Sequence, residues 1–252
     1  MSNPKDTINK LLNDYYQKKG LNPAIQVAHE LLKKPVISQT DMSTQELNAI
    51  FNGEVCETVL QIMIQDFMKR NPTKTASWRY NKSVILSDLE TKSSKFLTEI
   101  DALLFTPECI YIFECKSYAG DKQLVGKGTI KRSNGNDCDV YSQNSLHLKI
   151  LKQWLNRFSQ HPFYQMVLFD FSSGTMDDKR TASAKKELPL VTDTNLFQLL
   201  HTSRLGVWHA EDIDLISKRF ATETEKLHAK HLDYVKSINH RRCCLLYTSD
   251  AA

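Results

Sequence analysis

The pattern of hydrophobic and polar positions is most regular between residues 97 and 116, which read LTEIDALLFTPECIYIFECK. Pro107 interrupts this run at residues 106–109, because proline suits a turn and cannot donate to a central sheet ladder. We therefore predict two antiparallel strands joined by a four-residue turn. The second strand, 110–115, is almost wholly apolar, which is typical of a strand that is buried on both faces.

Four charged residues lie in this predicted hairpin. The turn sets a register in which Asp101 lies opposite Glu114, and Glu99 lies opposite Lys116. Two carboxylates at that separation repel each other unless a cation lies between them, and hard divalent cations prefer carboxylate oxygens. The hairpin therefore indicates a metal site with a lysine beside it, a place for metal-assisted hydrolysis. The alternative is an ordinary ion pair of Glu99 with Lys116, with Asp101 and Glu114 at strand ends, and spacing alone does not decide between the two.

Helical and strand patterns flank the hairpin on both sides. We predict helices over 6–34, a long helix from 43 to 71 with Glu54 at the edge of its apolar stripe, and a strand over 78–87. After the hairpin we predict a further strand or a second hairpin, rich in lysine, at 122–132. We then predict a loop at 133–139, a helix from Gln143 to about residue 160, and a buried strand at 165–171. The basic hairpin either binds phosphates or forms a solvated sheet edge.

The last third of the chain is more polar. We predict a charged loop at 172–186, a short strand at 188–191, a short helix at 194–201 and a long charged helix over 212–240. His228 and His231 are three residues apart on that helix, close enough to share a ligand. No carboxylate–histidine signature accompanies them, so we expect a solvated surface and not a zinc site.

The order of these residues resembles that of a known family. The sequence Glu99-Ile100-Asp101, followed by Glu114-Cys115-Lys116, with Gly53-Glu54 upstream and Gln143 downstream, is similar to the nuclease-related domain (NERD) family over about residues 50–160. That family lies within the PD-(D/E)XK restriction-endonuclease-like superfamily. Two departures are present: Asp139-Val140 stands where the family usually has Asn-Pro, and the glycine expected in the strand turn is missing.

The resemblance implies a fold and an activity. The fold is α/β, with a restriction-endonuclease-like core (helix, three-strand meander, helix, strand) and accessory N- and C-terminal helices. The activity is that of a Mg²⁺-dependent deoxyribonuclease, most simply an endonuclease, with DNA as its partner and Mn²⁺ as a possible substitute metal. Asp101 and Glu114 would hold the metal, Lys116 would orient water, Glu54 would support the site, and Gln143 would position substrate. The alternatives are a catalytically weak DNA-binding or interaction module on the same fold, or an RNA phosphodiesterase.

The amino-acid composition indicates the class of protein but does not identify its function. The chain has 252 residues, 41% hydrophobic and 25% charged, with a formal net charge of +4, which permits nucleic acid as a partner. The six cysteines form no Cys-x-x-Cys pair, so we expect free thiols and a cytoplasmic protein. A P-loop, a dinucleotide fingerprint and a transmembrane run are all absent from the sequence.

We divide the chain into four segments. Residues 1–42 are expected to form accessory N-terminal helices, 43–192 the nuclease-like core, and 193–240 a C-terminal helical segment. Residues 241–252 resemble the translated adapter tails of metagenomic reading frames, so we give them no functional role.

Overall fold

The computed structural model describes residues 44–90, 97–118, 120–133, 135–156, 163–172, 174–202 and 208–237. The helices predicted over 6–34, Ser43 and the tail at 241–252 lie outside these residues. The described part has mixed α/β architecture. Its helices are α1 (Thr44–Arg70), α2 (Pro72–Thr75), α3 (Val140–Leu155), α4 (Ala182–Glu187), α5 (Leu196–His201) and α6 (Ala210–Ser237). Its strands are β1 (Arg79–Ser87), β2 (Leu97–Phe105), β3 (Cys109–Lys116), β4 (Lys122–Val125), β5 (Thr129–Arg132), β6 (Cys138–Asp139), β7 (Phe163–Asp170), β8 (Met176–Asp178) and β9 (Leu190–Val191).

The strands form two sheets. The larger sheet has the order β1-β2-β3-β7-β9, and the smaller one has the order β6-β5-β4-β8. Helix α1, the antiparallel strands β1 to β3, helix α3 and the parallel strand β7 follow one another in the order expected of a restriction-endonuclease-like core. Strands β4 to β6 of the smaller sheet lie between β3 and α3 in the chain, and its strand β8 follows β7. The predicted fold class is therefore confirmed.

The central hairpin pairs in the predicted register from its turn as far as Ala102 and Phe113, whereas the predicted pairs Asp101–Glu114 and Glu99–Lys116 lie outside the paired residues. Phe105 lies opposite Ile110 and Ala102 opposite Phe113, and Thr106 closes the turn by donating its backbone N–H to Cys109 O at 3.0 Å. Every residue of β3 is buried, as its apolar sequence predicts. Its odd-numbered side chains pack on the α1 side of the sheet, and its even-numbered apolar side chains pack towards α3 and α6.

Strand β2 changes its facing at Asp101. Ala102 packs in the core on the α1 side, whereas Ile100, two residues away, packs in the core on the α3 side. On β1 the ladder pairs Lys82 with Ala102 and Val84 with Ile100, and Ser83 between them has a φ of 49°. A non-glycine residue in the left-handed region costs about 1–2 kcal/mol, so the backbone conformation of Ser83, next to the point where β2 changes its facing, is unfavourable by itself.

Two other details differ from the sequence predictions. Residues 172–186 were predicted to be a loop, but they contain strand β8 and helix α4. Strand β8 pairs in parallel with β4, which lies some fifty residues earlier, so no local pattern signals it. Residues 133–139, also predicted as a loop, contain the two-residue strand β6. Within the described residues, no helix combines the length and the apolar character that a membrane crossing requires.

Candidate active site

The carboxyl end of β3 carries a buried ion pair. Glu114 and Lys116 lie on the face that α3 covers, and the Lys116 Nζ atom is 2.7 Å from Glu114 Oε1. Their side chains are only 1% and 6% exposed. The attraction within such a pair offsets the free-energy cost of desolvating both charges only when the geometry and the neighbouring hydrogen bonds are favourable. The groups around the pair therefore show how it is stabilised.

Helix α3 provides the polar groups next to this pair. The helix begins at Val140, three residues earlier than predicted, because the Asp139 carboxylate caps it by accepting a hydrogen bond from the backbone N–H of Ser142 at 3.0 Å. One face then carries Gln143 and His147, which are four residues apart. Lys116 Nζ donates to Gln143 Oε1 at 3.4 Å, so the structure brings Gln143 into the site as predicted.

His147 was not identified from the sequence. Its Nδ1 atom lies 3.6 Å from Glu114 Oε2, and the side chain is 4% exposed. Burial, with a further contribution from the Lys116 charge, lowers the pKa of His147 to about 4. The imidazole is therefore neutral at physiological pH. The predicted apolar stripe placed Leu146 inward, but Leu146 is 38% exposed and His147 takes that place.

Asp101 reaches the same place from β2. Its Oδ2 atom accepts a hydrogen bond from the backbone N–H of Cys115 at 2.7 Å, so the carboxylate lies against the residue between Glu114 and Lys116. Burial raises the pKa of Asp101 well above its usual value, and the nearby Glu114 carboxylate raises it further. Lys116 and the Cys115 N–H act in the opposite direction, while Glu99 adds to the increase. Asp101 and Glu114 are therefore near enough for their charges to interact.

Helix α1 covers the other face of this strand end. Cys56 donates from Sγ to Lys116 O at 3.4 Å, which fixes the helix against β3. Glu54 lies in α1, but its side chain is outside the described residues. One turn later, Glu57 Oε2 accepts a hydrogen bond from Ser83 Oγ at 3.2 Å and lies 3.8 Å from Lys82 Nζ. Glu57 is a second helix carboxylate next to the hairpin, and sequence reasoning did not select it.

The neighbouring strand β7 ends in another buried acid. Asp170 lies beside Lys116 in the parallel ladder and accepts a hydrogen bond from Ser172 Oγ. Burial is the main cause that raises the pKa of Asp170. Lys122, which the sequence offered as a phosphate contact, is 2% exposed and donates to the backbone oxygens of Tyr118 and Gly120 at 3.2 and 2.8 Å. This lysine therefore fastens the loop after β3.

Asp101 and Glu114 fit a magnesium ion in type and number. The described residues contain no group of three or more His, Cys, Asp or Glu side chains that could hold a metal. Magnesium, however, is commonly bound through one or two carboxylates and retains several of its waters. The raised pKa of Asp101 means that a second negative charge is unfavourable here without additional positive charge. A divalent cation would supply it.

Comparison with known proteins identifies one family. Residues 62–170 match the model of the nuclease-related domain (NERD), a family of the PD-(D/E)XK-like superfamily, which confirms the resemblance found in the sequence. The match contains Asp101, Glu114, Lys116 and Gln143, and it begins after Glu54. No curated protein and no solved structure matches the chain.

Proposed function

Since residues 62–170 match the model of the nuclease-related domain, we propose that this protein is a Mg²⁺-dependent endonuclease that hydrolyses phosphodiester bonds in DNA. The observation that carries the proposal is the convergence of Asp101, Glu114, Lys116 and Gln143 at the carboxyl end of β3. A domain that only bound a partner would not need two interacting carboxyl groups and a buried ammonium group at the end of one strand.

Asp101 and Glu114 are the groups that would hold the metal. When bound, Mg²⁺ supplies positive charge to the phosphate oxygens and lowers the pKa of a coordinated water. Glu54, one turn before Glu57 on α1, is proposed to support this arrangement from the helix.

Lys116 would act on the attacking water. Its ammonium group lies between Glu114 Oε1 at 2.7 Å and Gln143 Oε1 at 3.4 Å, so its position is restrained from two sides. A fixed ammonium group can orient a water and stabilise negative charge that develops on the phosphate. The contact to Gln143 is long enough to open, and its amide would then be available to a phosphate oxygen of the substrate.

The test is cleavage of supercoiled plasmid DNA in Mg²⁺ by the wild type and by Glu114→Gln, Lys116→Met and Gln143→Leu. We expect nicked and then linear DNA with the wild type, loss of cleavage by at least about a hundredfold in the first two variants, and a smaller loss in the third. EDTA should abolish cleavage, and Mn²⁺ should restore it. A wild type that cleaves no faster than Lys116→Met, while it demonstrably binds Mg²⁺, would contradict the proposal.

The same preparation distinguishes the two alternatives. A metal-independent affinity for DNA that Asp101→Asn leaves unchanged would favour a binding module. Faster cleavage of a short RNA than of a DNA of the same sequence would favour an RNA phosphodiesterase.

A further inference from the structure

A group of buried polar atoms lies behind Glu114, on the face of α3 that meets the sheet. His147 is 3% exposed and Asn144 is completely buried. Within the described part of the chain, His147 Nδ1 and both amide atoms of Asn144 have no hydrogen-bond partner. A buried polar atom without a partner costs about 1–3 kcal/mol, so a natural protein that keeps three of them beside a candidate active site calls for an explanation.

The position of His147 relative to Glu114 provides one. The 3.6 Å between His147 Nδ1 and Glu114 Oε2 is a few tenths of an ångström longer than a hydrogen bond. Glu114 Oε1 is already held by Lys116, so Oε2 is the carboxylate atom that faces the helix. A neutral imidazole has one N–H and one bare nitrogen. A carboxylate oxygen opposite Nδ1 selects the form that carries its hydrogen there, because a bare nitrogen would repel it.

We propose that His147 is a positioning residue of the proposed active site, whose Nδ1–H group donates to Glu114 Oε2 and fixes the carboxylate. This inference rests on the proposed function only in giving Glu114 a catalytic role. Glu114 is then held at Oε1 by Lys116 and at Oε2 by His147, which prevents rotation of the carboxylate about its terminal torsion. Groups that orient a metal-binding side chain in this way typically contribute 10–100-fold to metal affinity or activity.

Three substitutions separate this role from simple packing. In His147→Asn the amide nitrogen is as many bonds from Cβ as Nδ1 is, whereas in His147→Gln it is one bond further, and His147→Leu has no donor. We expect His147→Asn to stay within about threefold of the wild type in Mg²⁺ affinity, and His147→Gln and His147→Leu to lose about 10–100-fold. Leu151→Val, a completely buried substitution four residues later, is the control for loss of packing and should bind Mg²⁺ normally.

The second measurement needs neither metal nor activity. In ¹⁵N-labelled, metal-free protein at pH 7, the histidine nitrogen shifts should show that His147 is neutral and protonated at Nδ1, and Glu114→Gln should move the Nδ1 resonance. A bare Nδ1, or equal Mg²⁺ affinities in the Asn and Leu variants, would overturn the proposal. If the wild type fails to cleave DNA while the Nδ1–H form is found, the nuclease proposal fails and the positioning role stands.

Discussion

The buried pair of Lys116 and Glu114 allows a quantitative prediction. Lys116→Met removes the ammonium group but keeps most of the side-chain volume, and it leaves Glu114, at 1% exposure, without its closest cation. Breaking a buried pair by removing one partner costs about 3–5 kcal/mol, because the remaining charge stays out of water. In a domain of this size, 1 kcal/mol corresponds to roughly 2–4 °C in Tm, so we expect Lys116→Met to melt about 6–20 °C lower.

The assay is a double-mutant cycle measured by urea denaturation. We expect the Glu114→Gln/Lys116→Met double variant to recover at least about 1 kcal/mol relative to the sum of the two single losses, since neither buried charge then remains. The control is Lys226→Met, because Lys226 pairs with Glu223 at 2.9 Å but is 63% exposed, and exposed pairs contribute about 0–1 kcal/mol. The reasoning is refuted if Lys116→Met loses no more stability than Lys226→Met. Activity data on Lys116 variants should be compared only after this correction for stability.

Three further outcomes follow from the structure. Magnesium at about ten times its Kd should raise the free energy of unfolding of the wild type by about 1.4 kcal/mol. Asp101→Asn should lose most of this stabilisation in a thermal-shift titration. Equal stabilisation of the wild type and the variant would exclude Asp101 as a ligand. Gly174→Ala should destabilise the protein by about 1–3 kcal/mol in urea denaturation, since a Cβ at this position would clash with the Gly120 carbonyl group; wild-type stability would contradict the close contact. Burial raises the pKa of Asp170, so the native state binds more protons than the unfolded state and loses stability as pH rises above about 4. Asp170→Asn should therefore become more stable relative to the wild type between pH 4 and 7. A stability difference between the two proteins that does not change with pH would argue against a raised pKa of Asp170.

The sequence was sufficient to predict the central hairpin and the register of the half nearer its turn. Pro107 places the turn, and the apolar run after it predicts a buried strand, which sets the pairing from Phe105–Ile110 to Ala102–Phe113. Gln143 contacts Lys116, as its predicted place in the first turn of a helix allows, although the Asp139 cap starts α3 at Val140, three residues before the predicted start. What these predictions share is that adjacent residues determine them.

Some of the features that were not predicted depend on distant contacts, and others had a local signal that was not used. The change of facing at Asp101 accompanies an unusual φ at Ser83 in the neighbouring strand, and alternation along β2 alone cannot show it. His147 was missed because the predicted apolar stripe of α3 included Leu146 in place of its neighbour His147. The spacing of four residues between Gln143 and His147 could have shown that both lie on one face of the helix. Helix α4 had a local signal too, since Thr181 Oγ1 accepts a hydrogen bond from the Ala184 N–H at 3.3 Å, but its charged composition indicated a loop.

The central claim is that Asp101 and Glu114 share one divalent ion next to Lys116. Anomalous diffraction from crystals soaked in Mn²⁺ tests this directly. The account predicts one strong peak within about 2.5 Å of a carboxylate oxygen of each residue, and no such peak in Asp101→Asn crystals. A fully soaked crystal with no peak between these carboxylates, or with its only peak elsewhere on the protein, would contradict it.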